Sequence, residues 1–216
     1  MADDLVFYTN PMSRGRIARW MLEEVGQPYR TEIVQYDSMK SPQYRSINPM
    51  GKVPAIVHRG TVVTECAAIC AYLADAFPQA NLAPPAADPR RGPYYRWMFF
   101  AAGPLESAVT NKALGFQVPA DREAMAGYGN FEATMDALEY AVKQNEYICG
   151  SQFTAADVYV GAHVGWGLMF GSIDKRPAFV EYAGRLQGRP AAQRAREIDD
   201  ALLPKKDDAA ESKKAG

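Results

Sequence analysis

A serine between an apolar run and a helical pattern is the first residue whose type and position could do chemistry. Ser13 lies in the segment 10–16, Asn-Pro-Met-Ser-Arg-Gly-Arg, at the place where an N-cap belongs, and serine is a preferred N-cap. A hydroxyl beside the free N–H groups of a helix N-terminus is well placed to stabilise an anion such as a thiolate. The position is equally explained if Ser13 caps the helix and does nothing more.

Two further segments carry residues suited to binding an extended peptide. In the segment 48–54, Asn-Pro-Met-Gly-Lys-Val-Pro, Pro54 lies at a strand start, where proline is tolerated. This is typical of a loop entering an edge strand; alternatively, a cis Val53–Pro54 bond would turn the Val53 N–H and C=O outward to pair with a peptide. Glu65 is either an ordinary partner of a helix dipole or a receptor for a ligand ammonium, with the Cys66 N–H binding a carboxylate.

The elements around these segments alternate between short strands and helices. Their order, β-α-β-(α)-β-β-α, contains one parallel crossover and one hairpin, which predicts a thioredoxin-like α/β domain. In the first helix, Arg19 and Glu23 are spaced to pair at i, i+4, and Gly26 is a helix stop. The predicted strands are 5–8, 31–34, 53–57 and 61–63, and the helical patterns are 17–25, 41–46 and a stretch that begins at residue 64.

The remainder of the chain shows helical patterns only. Five prolines between residues 78 and 93 exclude a continuous helix there, so this stretch is the natural connection between two domains. The helical patterns beyond it are 94–115, 122–144, 154–170, 177–187 and 190–203. We therefore predict a thioredoxin-like domain at 1–80, a linker at 81–89, an all-helical bundle domain at 90–203 and a disordered tail at 204–216.

Composition narrows the classes of function. Lys and Arg total 24 against 25 Asp and Glu, and a net charge of −1 lacks the basic footprint of a nucleic-acid binder. No run of 18 apolar residues predicts a membrane span, and the acidic N-terminus is unlike a signal peptide. Three cysteines without a Cys-x-x-Cys pair predict no disulfide framework and no dithiol chemistry, and two histidines leave little room for a metal site. These features favour a cytoplasmic protein without a metal.

Two of the motifs together resemble the cytosolic glutathione S-transferase family, in its bacterial, Ser- or Cys-class-like form. The segment 48–54 is followed, ten residues after its proline, by Thr-Glu-Cys-Ala-Ala-Ile-Cys-Ala-Tyr-Leu-Ala at 64–74, and the likeness extends over almost the whole chain. It implies the glutathione transferase fold, a thioredoxin-like domain followed by a helical bundle, and glutathione as co-substrate. The glutathione-binding residues that the resemblance implies are Lys52, Val53, Pro54, Glu65 and Cys66. At Cys66 the family usually has a serine, so one hydroxyl contact is lost while the backbone N–H remains.

The resemblance implies that Ser13 is the catalytic residue that activates the glutathione thiol. Ser13 matches the serine of theta-like classes and the cysteine of beta-like ones. Tyr8 lies near the tyrosine that other classes use, but its spacing to the segment 14–16 is too long for a direct match. An arrangement centred on Asn10 or on backbone N–H groups is the remaining alternative.

A second family motif, at 150–157, resembles an N-capping box. Thr154 is the predicted N-cap and Asp157 the N3 residue, so that each side chain can reach the other's backbone N–H. This motif predicts a role in folding for Asp157 and no role in catalysis.

The family resemblance implies that the thiolate of glutathione attacks an apolar electrophile or reduces a hydroperoxide. The alternative is a non-catalytic glutathione- or ligand-binding or stress-response protein of the same fold. A homodimer is expected, because the aromatic helix that follows the linker could supply apolar interface area. An apolar pocket for the electrophile is expected, and its candidate residues are Met12, Phe99, Phe116 and Trp166.

Overall fold

The computed structural model describes residues 4–203, and their first part forms a four-stranded sheet. The strands are β1 (Leu5–Thr9), β2 (Arg30–Ile33), β3 (Ala55–His58) and β4 (Thr61–Thr64). Their order is β2-β1-β3-β4, in which β1 runs parallel to β2 and β3 runs antiparallel to both of its neighbours. The helices of this part are α1 (Gly15–Val25), α2 (Pro42–Arg45) and α3 (Cys66–Ala76). The predicted thioredoxin-like plan is confirmed.

The register of the sheet brings three segments to one edge. Tyr8, near the end of β1, pairs with Ala55 at the start of β3, and Ala55 also pairs with Thr64 at the end of β4. Because β3 is antiparallel to both neighbours, the chain after β1, before β3 and after β4 leaves the sheet at the same end. These are the three segments in which the sequence places candidate chemistry.

The second part of the chain is helical, as its patterns predict. Its helices are α4 (Arg91–Phe100), α5 (Glu106–Ala113), α6 (Phe131–Gln144), α7 (Ala155–Phe170), α8 (Pro177–Gln187) and α9 (Pro190–Ala201). The first of the predicted helices, 94–115, is interrupted by a π-helical turn at Ala101–Leu105. Pro104 lies inside that turn and has no N–H to donate, which accounts for the break in the regular hydrogen-bond ladder.

The helix predicted over 122–144 starts nine residues later than expected, at the N-terminus of α6. Gly129 has a φ of +65°, which no helix interior adopts, and Asn130 is extended. The Asn130 side chain accepts a hydrogen bond from the Ala133 N–H at 2.8 Å and so caps α6. The apolar periodicity of this stretch is real, but a cap and a left-handed glycine override it before residue 131.

An arginine on the first helix lies in the core rather than on the surface. Arg19 is 1% exposed, and its Nε donates to Asp199 Oδ1 on α9 at 3.1 Å. Its Nη1 donates to the Tyr29 hydroxyl at 3.0 Å and to Thr31 at 2.8 Å. The expected Arg19–Glu23 pair is therefore wrong, and Glu23 instead accepts a hydrogen bond from Tyr29 at 2.6 Å. The buried pair connects α1 to α9.

The predicted capping box at the start of α7 is confirmed. Asp157 is fully buried and accepts hydrogen bonds from the Thr154 N–H at 2.9 Å, the Ile148 N–H at 2.8 Å and the Tyr182 hydroxyl at 2.9 Å. Burial raises the pKa of Asp157, while these hydrogen bonds oppose the shift. The residue therefore ties three segments of the helical part together, in agreement with a role in folding.

The domain boundaries predicted at 80 and 90 stay predictions, and the tail predicted at 204–216 lies outside the described residues. Gly26 ends α1 in the left-handed conformation with a φ of +68°, as predicted. Within residues 4–203, no helix is both long and apolar enough to span a membrane.

Candidate functional site

The starts of two helices meet at the edge of the sheet where the three segments emerge. The Cys66 thiol, in the first turn of α3, lies 3.6 Å from the carbonyl oxygen of Arg14, which precedes α1. The first N–H groups of each helix have no acceptor within their own helix, and each N-terminus carries a partial positive charge. Two converging N-termini make this edge suitable for a ligand with negative groups.

Ser13 lies at the start of α1, and its hydroxyl is engaged in two local hydrogen bonds. The hydroxyl donates to the Asn10 carbonyl at 2.7 Å and accepts from the Gly15 N–H at 2.9 Å. The helix itself begins at Gly15 with Arg14 as its N-cap, one residue later than the sequence predicts. The second hydrogen bond nevertheless satisfies one of the free N–H groups of the helix start, so Ser13 performs a capping role. The half-buried side chain borders the edge that the two helix starts share.

The two alternatives to Ser13 have different surroundings. The Asn10 side chain is 2% exposed, donates to the Val34 carbonyl at 3.1 Å and accepts from the Met12 N–H at 3.0 Å, so it braces the loop. Tyr8 packs against Tyr44, with ring centroids 6.1 Å apart, in a small apolar cluster on the sheet. Within residues 4–203, no hydrogen bond joins Tyr8 to Ser13, so both residues stay candidates for thiolate stabilisation.

The loop 48–54 is held in place by hydrogen bonds to one carbonyl. The Lys52 carbonyl accepts from the Tyr44 hydroxyl at 2.7 Å and from the Asn48 side chain at 2.8 Å. The Val53–Pro54 peptide bond is cis, as one of the two interpretations of the sequence predicts. Within residues 4–203, neither the Val53 N–H nor the Val53 C=O forms a hydrogen bond. The loop therefore presents a backbone edge to a ligand, while the Lys52 side chain is exposed.

Glu65 and Cys66 form the start of α3, and their environments differ. Glu65 is exposed and has a φ of +67°, which a residue with a side chain rarely adopts. Such strained residues occur where the surroundings impose them, often at ligand sites. The Cys66 side chain is buried, which raises the pKa of its thiol to about 12. Cys66 is therefore a neutral thiol at physiological pH and contributes its backbone, while the Glu65 carboxylate faces solvent.

A polar cluster that the sequence analysis missed lies beside Ser13. The Arg14 guanidinium forms an ion pair of 3.0 Å with Glu106 at the start of α5, and the Tyr159 hydroxyl lies 3.5 Å from the same carboxylate. The His163 ring packs edge-on against Tyr159, and burial lowers the pKa of His163 to about 4. The cluster joins Arg14, Glu106 and two neighbouring residues of α7, from three segments far apart in the chain, so no sequence spacing could have grouped them.

Comparison with known proteins identifies the family. The model of the glutathione S-transferase N-terminal domain matches residues 12–76, which include Ser13, the segment 48–54 and the start of α3. Glutathione S-transferase GstA of Escherichia coli O157:H7 is 29% identical over 184 residues, which cover 81% of this chain and 88% of GstA. The chain belongs to the cytosolic glutathione S-transferase family.

Solved glutathione transferases share the fold over nearly the whole chain. One from Methylococcus capsulatus has a TM-score of 0.76 and 26% identity, covering 92% of this chain and 100% of its own. A sphingomonad glutathione S-transferase solved with glutathione has a TM-score of 0.74 and 26% identity, covering 90% and 98%. Both the thioredoxin-like part and the helical part therefore have the fold of a glutathione transferase.

The four residues expected to line the electrophile pocket of this glutathione transferase have different surroundings. Trp166 lines a cavity of about 530 Å³ between α1, α7, α8 and α9, whereas Phe116 lines one of about 490 Å³ between α5 and α6. Met12 and Phe99 line neither cavity and are 58% and 72% exposed. Their assignment to one pocket stays a prediction. No group of three or more His, Cys, Asp or Glu in the described part of the chain is arranged to hold a metal ion.

Proposed function

We propose that the protein uses glutathione as a nucleophile, conjugating it to small apolar electrophiles or using it to reduce hydroperoxides. One observation carries this proposal: the sheet register gathers the Ser13 hydroxyl, the unused backbone of Val53 and the N-terminus of α3 at a single edge. Family membership supports the same conclusion. Glutathione is a short peptide with two carboxylates, one ammonium and one thiol, and the γ-glutamyl carboxylate, the ammonium and the thiol each have a counterpart at this edge.

The roles follow from the chemistry of each position. The backbone of glutathione pairs with the Val53 N–H and C=O as an added strand. The carboxylate of its γ-glutamyl end binds the first N–H groups of α3, including that of Cys66, and its ammonium binds the Glu65 carboxylate. Ser13 then turns its hydroxyl from the Asn10 carbonyl to the sulfur, and the N-terminus of α1 adds to the stabilisation of the thiolate.

The reaction needs no protein nucleophile. In conjugation, the thiolate sulfur forms a bond to the electrophilic carbon and the leaving group departs with the bonding electron pair. In hydroperoxide reduction, two glutathione molecules are oxidised to the disulfide, and the hydroperoxide is reduced to an alcohol and water. The protein contributes a lowered thiol pKa and the proximity of the two reactants.

A specific observation favours the second candidate, a non-catalytic glutathione-binding protein. The Ser13 hydroxyl already donates its hydrogen to the Asn10 carbonyl at 2.7 Å, so it supports the thiolate only after that hydrogen bond is broken. Three measurements separate the candidates: glutathione affinity, conjugation of an aryl halide and reduction of an organic hydroperoxide. Affinity with either activity supports the enzyme, affinity without both activities supports the binding protein, and absence of affinity contradicts both.

We also propose a homodimer in the cytoplasm, as is typical of the family. Tyr95 and Phe99 on α4 are 45% and 72% exposed and supply apolar area for a two-fold interface. Sedimentation at micromolar concentration should show a species of twice the 23.8 kDa chain mass. A single species at the chain mass would contradict the dimer.

A further inference from the structure

The proposed glutathione chemistry does not use the cavity between α1, α7, α8 and α9. Its volume of about 530 Å³ is in the range of small-molecule sites. Its walls are mainly apolar and include Ile17, Trp20, Trp166, Leu168 and Leu186. Among the residues proposed to bind glutathione or its thiolate, none lines this cavity.

Glycine on α7 keeps part of this space open. A Cβ at Gly165 would meet only the side-chain nitrogen of Gln187, at 3.4 Å. At Gly161, one turn earlier, a Cβ would lie 2.2 Å from Leu186 Cδ1, because that leucine fills the space. Leu186 therefore fills the space beside Gly161. The space beside Gly165, next to Trp166, leaves room for a ligand.

A buried carboxylate lies in the wall of the cavity. The Asp199 side chain is 1% exposed, and its Oδ1 accepts the hydrogen bond from Arg19 at 3.1 Å. Its Oδ2 has no hydrogen-bond partner among residues 4–203. A buried acceptor without a partner is unfavourable. A ligand hydroxyl in the cavity would satisfy it after a small rotation of the carboxylate.

One arginine at the rim of the cavity has no partner among residues 4–203. Arg16 forms an ion pair with Asp200 at 2.7 Å, but Arg196, exposed on α9, has no ion pair or hydrogen bond within the described residues. The cavity thus offers apolar aromatic walls, an acceptor inside and a cation at the entrance. That combination is complementary to a planar aromatic ligand with a hydroxyl at one end and a carboxylate at the other.

We propose that this cavity is a second binding site, independent of glutathione, for small hydroxyaryl carboxylates. The aromatic body lies between Trp20 and Trp166, the ring hydroxyl donates to Asp199 and the carboxylate pairs with Arg196. The site holds its ligand without covalent chemistry.

Isothermal titration calorimetry of the whole chain tests this proposal with 4-hydroxycinnamate as the probe. We expect one ligand per chain at micromolar affinity without glutathione, and the same affinity with saturating glutathione. Cinnamate, which lacks the hydroxyl, should bind about tenfold more weakly because the buried acceptor stays unsatisfied. Arg196→Gln should weaken binding of 4-hydroxycinnamate about two- to fivefold, as expected for an exposed ion pair.

A matched pair of variants locates the site. Gly165→Leu fills the cavity and should abolish binding, whereas Gly184→Leu makes the same change on α8 where a Cβ meets nothing within 4 Å, and should bind normally. Binding that persists in Gly165→Leu, or equal affinity for cinnamate and 4-hydroxycinnamate, would overturn the proposal. Competition with glutathione, or competitive inhibition of aryl halide conjugation, would also overturn it, because the probe would then occupy the reaction site. Failure of both conjugation and hydroperoxide reduction contradicts the proposed enzyme and leaves this test unaffected.

Discussion

Replacing Ser13 by alanine separates its role as a cap from its role toward the glutathione thiolate. The hydroxyl accepts from the Gly15 N–H at 2.9 Å, and alanine leaves that N–H without this partner. Loss of an N-cap lowers the free energy of unfolding by about 0.5–2 kcal/mol. This loss is independent of glutathione, so it is expected under either interpretation of Ser13.

The effect on the thiol pKa is smaller than a simple hydrogen-bond value suggests. A hydrogen bond to a charged group contributes about 1.5–3 kcal/mol, but the Ser13 hydroxyl must first leave the Asn10 carbonyl at 2.7 Å. That neutral hydrogen bond is worth about 0.5–1.5 kcal/mol, so the net stabilisation of the thiolate is about 1–1.5 kcal/mol. At about 1.4 kcal/mol per unit, Ser13→Ala should raise the pKa of bound glutathione by about one unit.

The assay is the ultraviolet absorbance of the glutathione thiolate, titrated against pH in the complexes of wild type and Ser13→Ala. The matched control is Asn130→Ala in the helical part of the chain. It removes the side chain that caps α6 by accepting a hydrogen bond from the Ala133 N–H at 2.8 Å. Asn130→Ala should lose a similar amount of stability and leave the thiol pKa unchanged. If wild type and Ser13→Ala titrate at the same pH, Ser13 is only a cap, and Tyr8 or backbone N–H groups become the candidates for thiolate stabilisation.

Three further predictions concern binding, pH and folding. Glu65→Ala should weaken glutathione binding about fivefold, because the Glu65 carboxylate is exposed and exposed ion pairs contribute about 1 kcal/mol or less. Calorimetry that shows no change in affinity would remove Glu65 from the site. The pKa of His163 is lowered from 6.5 to about 4, so the unfolded chain binds more protons at pH 5, and stability should fall by about 2 kcal/mol between pH 7.5 and pH 5. Urea unfolding of His163→Gln should lack that part of the pH dependence, and an unaltered dependence would refute the assignment. Asp157→Ala removes the acceptor of four buried donors and should lower the free energy of unfolding by about 3–5 kcal/mol, measured by the same method. A loss below about 1 kcal/mol would contradict its folding role.

The sheet and the edge at which the three segments meet could be predicted because the signals that specify them are local. The apolar runs place β1 and β3 to within two residues, and the turn at Arg59 and Gly60, both with positive φ, closes the hairpin between His58 and Thr61. Once these strands pair, the positions of the segments at their ends follow from the register without any knowledge of the helical part. The cap at Thr154 was predictable for the same reason, since both partners lie within one turn.

The errors have two kinds of cause: some are decided by residues distant in sequence, and others by a local proline, glycine or cap that apolar periodicity does not detect. Arg19 has the spacing of a surface helix residue, and only the presence of Asp199, 180 residues later, makes its burial possible. The interruption at Pro104 and the late start of α6 changed helix boundaries that apolar periodicity alone had extended. The cluster of Glu106 and His163 beside Ser13 likewise depends on how three helices pack.

The contrast between local signals and distant contacts also explains why the sequence indicates candidate glutathione-binding residues more clearly than residues of an electrophile pocket. Glutathione would be held by backbone groups and helix starts. The positions of these groups depend on the pairing of the β-strands, which most side-chain substitutions leave unchanged. An electrophile pocket depends instead on side chains from separate helices, and Phe116 and Trp166 line two different cavities. The orientation of those helices is set by contacts such as Leu186 filling the space at Gly161 and the buried pair between α1 and α9. Substrate preference should therefore respond to substitutions at these helix contacts, while glutathione affinity should depend on the edge of the sheet.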